Sequence, residues 1–139
     1  MYVDKGLQID PGLDLDGAAA NWYGTNCVDL ALAGRDVGKG RQMYMVITVT
    51  EAFVNASAAS TTIFSLVEDA DGPTAIDDDS IIVLSTEGFA VAALTLGAQI
   101  VIPVPPGIAL RYLGLRATTS QELTYGVVSA QIVLEAQTN

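Results

Sequence analysis

The chain has 139 residues and a formal net charge of −10, with six Lys and Arg against sixteen Asp and Glu and no histidine. That balance excludes partners held through phosphate neutralisation, namely nucleic acid and an anionic membrane surface, and the missing histidine removes the commonest general base and zinc ligand. The length fits one domain with a full core, and a single cysteine, Cys27, allows no internal disulfide.

No apolar window approaches the roughly 18 residues of a membrane helix. The opening MYVDKGLQID lacks a basic segment followed by an apolar core, so no signal peptide is expected, and the lone Cys27 is compatible with an origin in the cytosol. Half the residues are apolar and only 16% are charged, against the usual quarter, so some apolar surface needs cover by oligomerisation or docking.

Residues 1–25 keep no period. Asp10-Pro11-Gly12, Gly17 and the segment 21–24 are turn chemistry, with Val3, Leu7, Ile9, Leu13 and Leu15 as sparse apolar anchors and Trp22 and Tyr23 as large aromatics. This pattern predicts an extended N-terminal arm over 1–25, outside the core of a single β-sandwich domain over 26–139, and lying on a neighbour.

Strands follow at short spacing, at Asn26–Ala31, the long β-branched Gln42–Thr50, Thr61–Glu68, Ser80–Thr86 and Val91–Leu96. The stretch Gly97–Arg116 reads as strand, turn and strand, a hairpin broken at Pro105-Pro106-Gly107 because proline gives no N–H to a ladder. Its apolar faces call for a second sheet across from it. Tyr125–Glu135 ends the set, with Val128, Ala130, Ile132 and Leu134 on one face. About eight strands and no long helix predict an all-β sandwich or barrel.

Chemistry is sparse. Cys27 sits in a strand-like run, with no imidazole in the chain to activate it, and reads as a buried, inert thiol. The acidic residues Glu68, Asp69, Asp71, Asp77, Asp78 and Asp79 lack the spacing of a helix-flanked calcium loop and read as a solvated loop. Paired carboxylates for glycoside hydrolysis would need an aromatic groove, which nine aromatic residues scarcely supply. Asp36–Gly40 lacks the spacing of a phosphate loop and precedes a strand where a helix is required. No catalytic, metal or cofactor residues are assigned.

Asp29–Phe53, DLALAGRDVGKGRQMYMVITVTEAF, resembles the small cement, or decoration, proteins of tailed-bacteriophage heads. The pattern is a short Asp29-Leu30 strand, an Arg35-Asp36-Val37-Gly38-Lys39-Gly40 loop, the Tyr44–Thr50 strand and Glu51-Ala52-Phe53. Val3-Asp4-Lys5, Thr61–Leu66, Leu94-Thr95-Leu96-Gly97, Pro105-Pro106-Gly107 and Arg111-Tyr112-Leu113 also match in order, while 10–26 departs from the pattern. The resemblance implies a jelly-roll β-sandwich made in the host bacterial cytoplasm. It implies a homo-oligomer seated on the outer capsid, where it clamps major capsid subunits and carries no catalytic residue. The apolar strand faces and few charges also point to self-association, read as a dimer rather than a trimer. Contact candidates are Leu7, Ile9, Leu13, Leu15, Trp22, Tyr23, Arg35 and Asp36. Two other readings remain open. One is a carbohydrate- or receptor-binding jelly-roll module of the phage particle, using Trp22, Tyr23 and Tyr125 as a platform. The other is a hydrolase, which the missing histidine disfavours.

Overall fold

A computed structural model describes residues 7–30, 42–71 and 76–133. Ten strands are formed among them: β1 (Gln8–Asp14), β2 (Asn21–Tyr23), β3 (Val28–Asp29), β4 (Met43–Asn55), β5 (Thr61–Asp69), β6 (Ile81–Ser85), β7 (Phe89–Ala90), β8 (Gln99–Val104), β9 (Tyr112–Thr119) and β10 (Leu123–Val133). All pairings are antiparallel. One sheet has the order β1-β10-β4-β8 and the other β2-β9-β5-β6, with β3 continuing the β2 edge along β9 and β7 continuing the β6 edge along β5.

The pairings are nested. β1 pairs with β10, β2 and β3 with β9, β4 with β8, and β5 with β6 and β7, alternating between the two sheets. A long antiparallel ribbon rolled up in this way is a jelly roll. With each broken edge counted once, it has the eight expected strand positions.

The strands form where apolar side chains recur at period two. Met45, Ile47 and Val49 of β4 and Val128, Ala130 and Ile132 of β10 face Phe64 and Leu66 of β5 and Leu113, Leu115 and Ala117 of β9 in one core. A fully covered side chain of this size contributes roughly 1.5–3 kcal/mol.

Three sequence expectations are corrected. The 97–116 stretch is not a hairpin: β8 pairs with β4 in one sheet and β9 with β5 in the other. Two runs apolar on both faces fit either arrangement, and the connection over 105–111 is long enough to cross the sandwich. Gly107 takes the expected positive φ of 102°, and Ile108 is buried. The Glu68 carboxylate accepts from the N–H groups of Ala109 at 3.0 Å and Leu110 at 3.3 Å, which ties this crossing to β5. The Val91–Leu96 strand is replaced by β7 and a 3₁₀ turn over Val91–Ala93, closed by Leu94 N–H donating to the Val91 carbonyl.

The third correction concerns the arm. Among the described residues it is not extended over a neighbour but built into both sheets, β1 beside β10 and β2 beside β9. Its weak period has a local cause. The β1–β10 register shifts between Asp10 and Leu13, and Pro11 and Gly12 bulge outward where alternation expects an inward residue. Ile9, Leu13 and Leu15 remain on the core side.

Candidate functional site

Most of the contact candidates are used internally. Ile9, Leu13 and Leu15 are buried, and Leu7 packs against the core, so the first three are closed to a partner. Trp22 also packs against the core, and its indole N–H donates to Thr119 Oγ1 at 3.2 Å. Tyr23 is partly exposed; its hydroxyl donates to Asp78, which also accepts from Asn21 Nδ2 at 3.3 Å. Tyr125 lies on β10, in the sheet opposite β2, so the three aromatics form no single platform. Arg35, Asp36 and the rest of the 36–40 loop lie outside the described residues.

A different ion pair appears instead. Arg111 Nε donates to Asp29 Oδ1 at 2.7 Å and Nη2 to Oδ2 at 3.0 Å, while its guanidinium sits 5.1 Å from the Tyr112 ring centroid. The hydrogen bond to Asp29 raises the Arg111 pKa. Asp29 on β3 stands opposite Tyr112 on β9, and Leu30 N–H donates to the Arg111 carbonyl at 2.9 Å. Two motifs far apart in the sequence, Asp29-Leu30 and Arg111-Tyr112-Leu113, are therefore one local structure.

The acidic stretch is partly structural. Glu68 and Asp69 are buried, not solvated as expected. Glu68 holds the 105–111 crossing, and Asp69 accepts from Asp71 N–H at 2.8 Å and from Ser80 Oγ at 2.7 Å. Asp77, Asp78 and Asp79 are exposed. Ile76 turns back onto the outer face of the sheet over Gly114, where a Cβ would lie 2.6 Å from its Cγ1. Among the described residues no group of three or more His, Cys, Asp or Glu is placed to hold a metal ion. Cys27 is half-buried, less enclosed than expected, and burial raises its pKa. A shallow cleft at the end of the sandwich is lined by Asp16, Gly17, Glu122, Leu123 and Thr124, and the neighbouring Asp14 raises the Asp16 pKa.

Of the seven exposed large apolar side chains among the described residues, three lie on β6, while Leu96, Val54 and Tyr125 lie elsewhere. Ile81 is 54% exposed, Ile82 46% and Leu84 36%, with Ile63 of β5 nearby on the same sheet at 37%. β6 stands at the end of its sheet. From Ser80 to Thr86 there is no charge and no proline. This uncharged run was visible in the sequence as a strand, but its edge position depends on pairings distant in the chain.

A family model described as Bbp16 matches residues 16–132. The chain belongs to the Bbp16 family. No curated protein matches it. The Bbp16 match begins just after β1 and takes in β2 through nearly all of β10, including the Tyr23–Asp78 contact, the Arg111–Asp29 pair and the whole β6 edge. Within this Bbp16 chain the described polar groups mostly serve to fasten loops to sheets.

Proposed function

We propose that the protein is a structural cement, or decoration, protein of a tailed phage. It is made in the host bacterial cytoplasm and seated on the outer surface of the capsid. It stabilises contacts between major capsid subunits as a homo-oligomer, a dimer rather than a trimer, without catalytic residues, cofactor or metal.

The observation that carries this reading is an uncharged apolar edge on an otherwise acidic jelly roll whose buried carboxylates fasten its own loops. The ordered resemblance of Asp29–Phe53 and later segments to the cement proteins points the same way. An acidic protein is repelled by packaged DNA phosphate, which favours the outer face. Weak contacts repeated over a shell act as a multivalent clamp.

Sedimentation with empty shells of the phage's major capsid protein tests the proposal. The protein is expected to pellet with the shells and raise their resistance to heat. A protein that stays in the supernatant, or that binds glycans instead, overturns it. Light scattering that gives a mass of 14.5 kDa, that of one chain, at micromolar concentration overturns the homo-oligomer.

A further inference from the structure

We infer that β6 is a docking edge that takes an extended strand from a partner, with an apolar centre and Lys or Arg at its ends. The inference goes beyond the capsid reading, since it defines the chemistry of the strand whichever protein supplies it.

The sandwich has four sheet edges, and three are defended. β1 carries Pro11, two register shifts and the charged Asp10 and Asp14. β8 carries Pro103. The β2–β3 edge is interrupted between Tyr23 and Val28 and closed by the Arg111–Asp29 pair. Proline, bulges, breaks and charges are the devices that stop an edge from pairing with another chain.

The β6–β7 edge is also broken, between Ser85 and Phe89, but β6 itself has one register shift against β5 and, among the described residues, no proline or charge within its span. Alternate residues of an edge strand direct N–H and C=O away from the sheet. Here they are flanked by exposed Ile81, Ile82 and Leu84. Backbone pairing then supplies affinity and the side chains supply fit.

Charge selects the occupant. Asp78 is turned across the sheet to Tyr23 and Asn21, but exposed Asp79 precedes β6 and exposed Glu87 follows it, so both ends of the apolar strand carry an acid. A second copy laid antiparallel would set its Glu87 against Asp79, and one laid parallel would set Asp79 against Asp79 and Glu87 against Glu87 at the two ends. A basic-flanked strand meets complementary charge at both ends.

The test uses the isotope-labelled full chain and the capped peptide Lys-Lys-Val-Thr-Val-Thr-Val-Lys-Lys, followed by amide NMR shifts. Shifts are expected on Ile81–Ser85 and their neighbours. Affinity should fall about tenfold or more between roughly 0.05 and 0.5 M salt as the flanking charges are screened. Ile82→Lys, a change at an exposed position that leaves the spectrum of the core intact, should weaken binding by a similar factor.

The inference is overturned by shifts elsewhere or none, or by equal binding of the same peptide with Glu in place of Lys. It is also overturned by a dimer mass that Ile82→Lys reduces to one chain, which would make a second copy the occupant. A protein that binds capsids through another face would fail this test and still pass sedimentation, so the two proposals are separable.

Discussion

The Asp10 carboxylate accepts from Thr25 twice through one oxygen, from the N–H at 2.9 Å and from Oγ1 at 3.0 Å. Its other oxygen accepts from Gly12 N–H at 2.8 Å. A bulge in a strand of one sheet is thus held to the β2–β3 corner of the other, with Asp10 buried. Asp10→Ala strands these donors and should cost about 2–4 kcal/mol. Urea denaturation measures this, and a loss below about 0.5 kcal/mol, typical of an exposed surface change, would deny the clamp its role.

A chain starting at Gly24 should fail to give a cooperative melt. It lacks β1 and β2, and with them Ile9, Leu13 and Leu15. Burial of those three contributes about 5–9 kcal/mol, comparable to the whole stability of a typical domain, about 5–15 kcal/mol. Circular dichroism with a sharp thermal transition from the shortened chain would show that the first two strands are dispensable.

Gly114→Ala should destabilise by about 1–3 kcal/mol, because the added methyl meets Ile76 and the sheet beneath cannot retreat. Ile76→Ala removes the obstacle. The pair should therefore be non-additive, with the double variant more stable than the two single losses imply by about 0.5–3 kcal/mol. Additive losses would mean that Ile76 does not rest on Gly114.

Tyr23→Phe should give a stability deficit that is largest near neutral pH and narrows at both extremes. Burial, then the hydrogen bond to Asp78, pushes the Tyr23 pKa from 10.0 up to about 12. That stabilisation is full below pH 10 and is lost as pH rises through about 12. The Tyr23 hydroxyl, followed by Asn21, lowers the Asp78 pKa below its ordinary 3.8. Its share is present above 3.8 and is lost as pH falls through the lower folded value. Melting both proteins across this range checks the profile, and a deficit independent of pH would rule out the contact as its source.

Where period two runs unbroken the sequence was legible: β4, β5 and the inward row Val128, Ala130 and Ile132 stand where alternation predicts. It misled where a local feature interrupts the period. The Pro11-Gly12 bulge hid β1, and a 3₁₀ turn took an apolar run whose glycine flanks suggested a strand. Strand partners were not legible at all, since β8 and β9 are each apolar on both faces and either would satisfy a hairpin. The same limit applies to the candidate site. Ser80–Thr86 is readable as a strand, but only its pairing with β5 alone makes it an edge.

The nested order of strands also governs when the sandwich can form. β10 lies between β1 and β4, so β1 has no neighbour in its sheet until β10 has left the ribosome. Contacts this distant in sequence make folding slow, because the loops must close before their contacts repay the entropy. Synthesis at about 5–20 residues per second leaves the early strands unpartnered for several seconds. Their apolar faces, Ile9 and Leu13 among them, must stay clear of aggregation through that interval. The bulge that obscures β1 in the sequence, with its proline and flanking carboxylates, is well suited to keep the waiting strand from pairing with a stranger.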